Sequence, residues 1–400
     1  MRRDPTIAVI ALAAAVLGGV VALLGAEATG LTDRKTSTVY VPTSATELGA
    51  TGNEPIAHAT PLRGKGFNPS RIYTARSSGV VTIFAFFNKA DASEAQGSGF
   101  VVSPSGYILT SAHVVADVVE STHPTKARHV YVGFKDGDRI DARIVGWDGY
   151  DDVALLKVDP AAHRLVPVPL GDSSRVRAGD PVAAMGSPFG NEDSIAVGVV
   201  SAIRRSINSL TSSYNVVDAI QTDAPITHGN SGGPLFDARG RVIGINAQIR
   251  SDTGGAEGVG FAIPINAAKR SMAQLVATGR VVYAYLGVTT EDLTPTLARH
   301  LGYAVSRGAM VGQVRDGSPA KRAGLHGGSD DETFNGQDVT TGGDVIVALD
   351  GRPVRSADEV VREVSSRVPG ETIRLTIVRG QTRKTVTAKL GARPDTETNP

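Results

Sequence analysis

The sequence predicts a mainly β protein of two globular units, preceded by one N-terminal transmembrane helix. An uncharged apolar run covers residues 7–26, and short β-branched segments separated by glycine-containing turns fill residues 68–279. A smaller unit, residues 281–390, combines strands with one helix. Many short strands at near-regular spacing indicate a β-barrel or sandwich rather than βαβ units.

Composition narrows the classes of function. The 400 residues carry a formal net charge of +1 and include no cysteine. A charge so close to zero gives no support for a nucleic-acid partner. The lack of cysteine excludes disulfides, thiolate metal sites and a cysteine nucleophile. We expect no cofactor and no metal site.

The N-terminal apolar run is long enough to cross a bilayer, since at 1.5 Å per residue it spans about 30 Å. The basic start, Met1–Arg3, predicts that residues 1–6 are cytoplasmic and that everything after residues 7–26 lies outside. A cleaved signal peptide is the alternative, because Ala26–Ala28 offers an A-x-A site. We favour the anchor because the run is longer than a typical signal-peptide core.

Residues 27–67 are rich in Thr, Ser, Ala, Gly and Pro without an apolar period, which is typical of a flexible stalk. Residues 391–400 form a polar tail. In the larger unit we expect strands at residues 80–84, 99–102, 107–110, 129–134, 141–145, 153–158, 197–201 and 241–245, and a helix at 265–279. In the smaller unit we expect strands at 286–288, 309–311, 345–349 and 373–378, and a helix at 357–367.

A serine lies within a glycine-rich turn, Gly229–Leu235. Glycines permit positive φ and close backbone approach, whereas Pro234 fixes its own φ. Such a turn suits a nucleophile, Ser231, whose neighbouring N–H groups converge on an oxyanion hole. A tight polar turn between strands is the other interpretation.

A serine nucleophile needs a base and an orienting carboxylate. His113 follows the strand at 107–110 among small residues, where a structural histidine is also typical. Asp151 and Asp152 directly precede an apolar strand, where turn capping is the alternative role. The order histidine, aspartate, serine is that of chymotrypsin-type chains.

Seven segments together resemble the HtrA/Deg family of trypsin-fold serine proteases. They are residues 97–102, 106–115, 152–156, 185–190, 221–224, 229–235 and 258–264. The resemblance implies a two-barrel chymotrypsin-like domain with His113 as base, Asp152 orienting it and Ser231 as nucleophile. It also implies an oxyanion hole formed by the N–H groups of Gly229 and Ser231.

One departure from the family pattern and two features of the residues before Ser231 bear on activity. Residues 225–228 read Pro-Ile-Thr-His where the family commonly has Ala-Ile-Asn-Pro, and His228 is either a pH-dependent modulator or a solvated loop residue. Asn230 stands where trypsin-like zymogens use an aspartate, so activation by N-terminal insertion is not expected. No acidic residue lies between Asp223 and Ser231. The lack of a nearby acid favours a small to medium apolar P1 residue.

The smaller unit resembles an HtrA-type PDZ domain (α+β). The matching segments are Tyr285-Leu286-Gly287-Val288, residues 317–325 and residues 343–351. The resemblance implies that the first segment binds a peptide C-terminus while the peptide adds as a strand. An acidic insertion at residues 328–341 lacks EF-hand spacing and is expected to be a mobile loop.

The combined interpretation is a single-pass, membrane-tethered serine endopeptidase with both domains on the extracytoplasmic side of the cell membrane. The resemblance implies protein and peptide substrates, misfolded or signal-bearing, C-terminal peptides at the PDZ domain, and a homotrimer formed through residues 67–73. Two alternatives stay open. One is a peptide-binding scaffold or chaperone with weak or conditional protease activity, and the other is a regulatory site-1-type protease with a single membrane substrate.

Overall fold

The computed structural model describes residues 66–87, 94–117, 125–187, 194–208, 215–226, 229–247 and 259–394. The expected transmembrane helix, almost all of the stalk, and residues 227–228 lie outside these ranges. Within them, no helix is long and apolar enough to cross a membrane. All described residues belong to one compact unit.

The first half of the larger unit is a closed six-stranded barrel with the strand order β1-β2-β3-β8-β7-β6. Its strands are β1 (Val80–Phe86), β2 (Glu94–Val101), β3 (Tyr107–Thr110), β6 (His129–Gly133), β7 (Arg139–Asp148) and β8 (Val153–Val158). A short pair, β4 (Ala116–Asp117) and β5 (Thr125–Lys126), lies outside the barrel. Helix α1 (Pro69–Arg76) precedes β1, and its first turn is capped by Asn68, which accepts a hydrogen bond from the Arg71 N–H.

The second half is another closed barrel, with the order β10-β11-β14-β13-β12-β9. Its strands are β9 (Pro181–Gly186), β10 (Ser194–Asn208), β11 (Asn215–Thr222), β12 (Pro234–Asp237), β13 (Val242–Ala247) and β14 (Gly260–Pro264). Side chains of both barrels form one shared hydrophobic core, which includes Phe100, Leu155, Phe236 and Ile263. The predicted two-barrel fold is confirmed.

Helix α3 (Ile265–Thr278) closes the larger unit, as predicted from its apolar period. It ends at Gly279, which adopts φ +73° and caps the helix in the left-handed conformation. Its buried face includes Ile265 and Leu275, which join the shared core.

The smaller unit is built on a sheet with the strand order β16-β17-β20-β22-β23, and β21 pairs with β20. Its strands are β15 (Ala284–Tyr285), β16 (Val288–Leu293), β17 (Gly308–Val314), β20 (Val345–Leu349), β21 (Arg352–Pro353), β22 (Thr372–Arg379), β23 (Thr382–Lys389) and β24 (Gly391–Ala392). Its helices are α4 (Pro295–His300), α5 (Pro319–Arg322) and α6 (Ala357–Ser365). Strand β15 pairs with β24, so the C-terminal end of this unit returns to its start.

The expectation of a mobile loop at residues 328–341 was wrong. The segment forms an antiparallel hairpin of β18 (Asp330–Phe334) and β19 (Gln337–Thr341). Asn335 and Gly336 connect the strands with φ values of +51° and +79°. Asn-Gly in this conformation is the preferred two-residue hairpin turn, because its twist matches that of the strands.

Candidate active site

His113 and Asp152 meet at one end of the first barrel. His113 lies in the short helix α2 (Ala112–Val115), and Asp152 directly precedes β8. Nδ1 of His113 is 2.7 Å from Oδ2 of Asp152, and the His113 backbone N–H donates to Oδ1 at 2.9 Å. The aspartate side chain is 5% exposed and the histidine side chain 20%. The carboxylate therefore holds both the ring and the backbone of His113.

The backbone of Asp152 explains why this carboxylate, and not its neighbour, is used. Asp152 adopts φ +52°, in the left-handed region, and its carbonyl accepts a hydrogen bond of 3.2 Å from the Ala112 N–H. This turn directs the Asp152 side chain to His113. The carboxyl group of Asp151 instead lies 2.8 Å from the hydroxyl of Tyr283.

The electrostatic surroundings favour the protonated form of His113. Burial, the largest single effect, lowers the pKa of the imidazole because it disfavours the charged form. The negative charge of Asp152 and the hydrogen bond to it act in the opposite direction and together prevail. The pKa of His113 is therefore raised above its ordinary value of 6.5.

The turn that carries Ser231 depends on glycine. Gly229 and Gly232 adopt φ values of +104° and +83°. A Cβ at Gly232 would lie 2.3 Å from the carbonyl oxygen of Ser98, and one at Gly233 would lie 2.2 Å from that of Met185. These distances are too short for any side chain, because neighbouring backbone occupies the space.

Ser98, on β2 of the first barrel, fixes the nucleophile turn to that barrel. Its backbone N–H donates to the carbonyl of Ser231 at 2.8 Å. Its hydroxyl donates to the carbonyl of Gly229 at 2.5 Å and accepts from the Ser187 N–H at 2.9 Å. Ser98 lies in the segment 97–102 that resembles the family, but the sequence alone predicts no role for it, because its partners are distant in sequence.

Asn246, on β13 of the second barrel, supports the same turn from the other side. Its Nδ2 lies 3.2–3.3 Å from the carbonyl oxygens of Met185, Asn230 and Pro234. Its backbone carbonyl accepts from the Gly232 N–H at 2.8 Å. This residue was also missed, although a buried polar residue inside the apolar run at 242–247 was a usable signal.

Ser231 and His113 are not joined by a hydrogen bond in this structure. Ser231 is 5% exposed, and its Oγ has no hydrogen-bond partner among the residues that the structure describes. His113 and Asp152 are already paired, whereas transfer of a proton from Ser231 to His113 would need a hydrogen bond to Nε2 of His113. Catalytic hydrogen bonds often tighten only when substrate binds.

The segment expected to bind a peptide C-terminus is a tight bend and not the strand predicted at 286–288. Gly287, at φ +84°, separates β15 from β16. The carbonyls of Leu286 and Gly287 accept hydrogen bonds from the N–H groups of Ala320 and Arg315, at 2.9 and 3.0 Å. A Cβ at Gly287 would lie 2.3 Å from Cβ of Ser318, so only glycine fits this bend.

Comparison with known proteins supports both units. The family described as "Trypsin-like peptidase domain" matches residues 97–245, and the family described as "PDZ domain" matches residues 284–390. Relatives named "Probable periplasmic serine endoprotease DegP-like" are 38% identical over 301 residues in Brucella suis and 40% over 298 residues in Pseudomonas fulva. These alignments cover 75% and 74% of the chain but only 53% and 56% of the relatives, so the chain spans about half their length.

Solved structures match over a larger share of their length. "HtrA-type protease AlgW with tripeptide" is 33% identical, with a TM-score of 0.67, and the match covers 82% of this chain and 98% of that one. "Crystal structure of the serine endoprotease from Yersinia pestis" is 29% identical with a TM-score of 0.58, covering 82% of this chain and 98% of that one. The chain therefore belongs to the HtrA family of DegP-like serine proteases, with a trypsin-like peptidase domain followed by a PDZ domain.

Proposed function

We propose that the chain is a serine endopeptidase in which residues 68–279 cleave peptide bonds and residues 281–390 recognise peptides. His113 takes the proton of Ser231, Asp152 holds the imidazole in the required tautomer, and Ser231 attacks the carbonyl carbon of the substrate. The observation that carries the proposal is the buried His113–Asp152 pair at 2.7 Å. A structural histidine does not need a carboxylate that binds both its ring and its backbone.

The N–H groups of Gly229 and Ser231 are proposed to form the oxyanion hole. The peptide group that joins Gly229 to Asn230 lies between these two donors in the chain, and Ser98 fixes its carbonyl. A fixed central peptide limits the directions in which the flanking N–H groups can point. Preorganised donors of this kind supply a large part of catalysis in acyl transfer.

Conditional activity is the second candidate, because Ser231 Oγ has no hydrogen-bond partner within the described ranges. A peptide-binding scaffold or chaperone with weak protease activity would retain the fold and the His113–Asp152 pair. A peptidase activated by substrate or by PDZ-bound peptide would form the missing bond on binding. Reactivity of Ser231 with and without peptide separates these two functions.

The proposed substrates are misfolded or signal-bearing proteins with a small to medium apolar P1 residue. Asp223, the nearest upstream acid, is engaged elsewhere, since its Oδ1 accepts a hydrogen bond of 2.7 Å from the Val199 N–H. One of its two carboxylate oxygens is therefore already used by β10. At the PDZ domain we propose that the N–H groups of Leu286 and Gly287 bind a peptide carboxylate, because their carbonyls are held on the opposite side of the bend.

We also propose an extracytoplasmic location with a single membrane anchor at residues 7–26, on the basis of the uncharged apolar run there. The relatives named above are described as periplasmic, which agrees with this location. A homotrimer formed by the peptidase domains through residues 67–73 is proposed from family resemblance. Phe67 and Tyr73 pack partly against their own core, so a partner would contact their remaining exposed faces.

The test compares the full chain with Ser231→Ala for cleavage of an unfolded protein, with and without C-terminal peptides. The matched control is Ser105→Ala, which changes an exposed serine far from the turn. We expect cleavage by the wild type and control, loss in Ser231→Ala, and fluorophosphonate labelling that depends on Ser231. Absence of labelling even with peptide would reject the peptidase in favour of the scaffold. Labelling without cleavage of any unfolded protein would favour the site-1-type protease with one membrane substrate.

A further inference from the structure

A pair of carboxyl groups, Asp148 and Asp151, shares one tyrosine hydroxyl next to the proposed active site. The hydroxyl of Tyr283 lies 2.5 Å from Oδ2 of Asp148 and 2.8 Å from Oδ2 of Asp151. Asp148 is fully buried at the end of β7, and Asp151 directly precedes the proposed triad residue Asp152. We call these two aspartates and Tyr283 the carboxyl pair and its bridge.

Counting protons shows that this arrangement needs one more proton than a tyrosine supplies. A neutral tyrosine has a single hydroxyl proton and can donate to only one of the two carboxyl groups. Asp148 accepts from the Ser271 hydroxyl at 2.6 Å and from the N–H groups of Tyr150 and Asp151 at 3.0 and 3.3 Å. Asp148 is thus satisfied as a carboxylate, and the Tyr283 proton completes its set of donors.

Asp151 has a different set of partners. Its one side-chain hydrogen bond in the described part of the chain is the contact with Tyr283. One hydroxyl proton cannot serve both contacts, so assigning it to the shorter one, to Asp148, makes Asp151 the donor of the 2.8 Å bond. A protonated Asp151 donates to the lone pair of the Tyr283 oxygen, whereas a charged Asp151 would face a second carboxylate across it.

The surroundings of Asp151 agree with this assignment. Burial and then the charge of Asp148 raise the pKa of Asp151 to about 7, although a hydrogen bond from Tyr283 and the charges of Arg270 and Arg393 act to lower it. Burial also raises the pKa of Asp148 and, together with both carboxylates, that of Tyr283. Asp151 lines a cavity of about 310 Å³ between the two units, whose other charged groups are Arg204, Asp218, Arg270 and Arg362.

The bridge joins the catalytic turn to the PDZ domain. Tyr283 immediately precedes β15, which leads into the proposed peptide-binding bend. Its carbonyl accepts a hydrogen bond of 2.8 Å from the Arg393 N–H, and its ring packs edge-on against Tyr150 at 5.3 Å. The hydroxyl of Tyr150 in turn donates to the carbonyl of Pro394 at 2.9 Å. The hydrogen bond between Asp151 and Tyr283 thus adds to the contacts that join the turn before Asp152 to both ends of the PDZ unit.

We propose that Asp151 is a protonated positioning residue, whose hydrogen bond to Tyr283 holds the Asp152 turn against the PDZ linker. Loss of the proton places two negative charges about one hydroxyl, so the contact separates and Asp152 loses its alignment with His113. The proton equilibrates with solvent and no bond other than O–H is broken. This inference rests on the proposed peptidase activity for one readout, and two further readouts do not require activity.

Two substitutions at one position imitate the two states. Asp151→Asn keeps a donor for Tyr283 without a titratable group. Its contact with Tyr283 should therefore stay formed at every pH, as the wild-type contact does at low pH. Asp151→Ala removes the donor, so its contact with Tyr283 should be lost at every pH, as the wild-type contact is at high pH. Asp141→Asn, an exposed aspartate on the same strand as Asp148, is the matched control.

The first readout is kcat/KM between pH 6 and 8, expressed as the ratio of the Asp151→Asn value to the wild-type value. The titration of His113 is common to both proteins, so it cancels in this ratio. If only the protonated form is competent, a pKa of about 7 gives a ratio of about 1 at pH 6, about 2 at pH 7 and about 11 at pH 8. The Asp141→Asn ratio should stay near 1 throughout. A flat ratio for Asp151→Asn overturns the proposal.

The second readout is the fluorescence of Trp147, the only tryptophan of the chain, which directly precedes Asp148. We expect a step near pH 7 in the wild type and in Ser231→Ala, and none in Asp151→Asn. The third readout is the infrared carbonyl band of a neutral carboxylic acid in the unmutated chain, which should disappear with the same midpoint. Because these signals do not need an active peptidase, their absence refutes the carboxyl pair itself. Their presence in an inactive protein refutes only the proposed function.

Discussion

Removal of the Ser98 hydroxyl should uncouple the nucleophile turn from the first barrel. In Ser98→Ala the partly buried carbonyl of Gly229 loses its donor, and the buried N–H of Ser187 loses its acceptor. Leaving a buried polar group without a partner costs about 1–3 kcal/mol. The backbone bond from Ser98 to Ser231 remains, so the turn should loosen without detaching.

The size of the effect follows from these two groups. Local relaxation around the two groups should recover part of this cost. The free energy that favours the ordered turn over disordered ones then falls by about 2–3 kcal/mol. Since about 1.4 kcal/mol corresponds to a factor of ten, the competent fraction falls by about 30- to 150-fold. A loss of this size lies near the effect of removing one oxyanion donor, about 10²–10³ in kcat.

The assay is kcat/KM on a peptide substrate, together with the rate of fluorophosphonate labelling of Ser231. The control, Ser103→Ala, removes an exposed hydroxyl that bonds only Ser105. Circular dichroism and the unfolding midpoint establish that Ser98→Ala remains folded at the assay temperature. Activity within threefold of the wild type in a folded Ser98→Ala protein would refute the role assigned to this hydroxyl.

Three further predictions concern the turn, the base and the peptide-binding bend. Gly232→Ala combines φ +83° with a Cβ 2.3 Å from the Ser98 oxygen, so we expect a lower unfolding midpoint and loss of fluorophosphonate labelling. In Asp151→Asn, where residue 151 no longer titrates, the raised pKa of His113 predicts that kcat/KM rises with pH through a midpoint above 6.5, because the base must be neutral. In Asp152→Asn, burial without the charge should move this midpoint below 6.5. Gly287→Ala should weaken binding of C-terminal peptides at least about tenfold in fluorescence anisotropy, with basal labelling of Ser231 unchanged, because Cβ would overlap Ser318.

The raised pKa values of Asp151 and His113 also predict how the stability of the fold depends on pH. A folded-state pKa of about 7 for Asp151, against an ordinary 3.8, means that the folded chain binds an extra proton between these values. Stability from this proton is therefore present at low pH and declines as pH rises toward 7, by up to about 1.4 kcal/mol per pH unit. His113 acts in the same direction, since its stabilisation is complete below 6.5 and is lost as pH rises through its raised pKa. Urea unfolding of the wild type and Asp151→Asn at several pH values measures the Asp151 share, and equal pH dependence would contradict it.

Local sequence patterns were sufficient for many of the strands and for the helix end at Gly279, whereas family resemblance supplied the two-barrel fold and the His113–Asp152 pairing. Period-two alternation and β-branched runs report burial directly, and a glycine after an apolar helix is a local stop signal. Strands such as Pro181–Gly186 escaped notice because alanine and methionine do not favour strands. They are strands because neighbouring strands on both sides complete their hydrogen bonds.

The acidic hairpin shows a different kind of failure. Its Asn335-Gly336 turn was readable from sequence as a hairpin signal, but the acidic composition of residues 328–341 favoured a solvated loop. Cross-strand hydrogen bonds such as that of Thr333 Oγ1 to Asp338 (2.6 Å) satisfy part of these polar groups without burial. Turn chemistry was therefore the better guide here, because a two-residue turn needs no apolar face to set the register.

Ser98 and Asn246 could not be found from local sequence, because their roles exist only where the two barrels meet. His113 and Asp152 both belong to the first barrel, whereas Ser231 belongs to the second. Alignment of Ser231 with His113 is therefore a property of the barrel junction, where Ser98 holds the turn from one side and Asn246 from the other. Ser98 and Asn246 each supply hydrogen bonds to the turn that no helix or strand provides. Substitutions at this junction should consequently reduce Ser231 reactivity well before they change the secondary structure of either barrel.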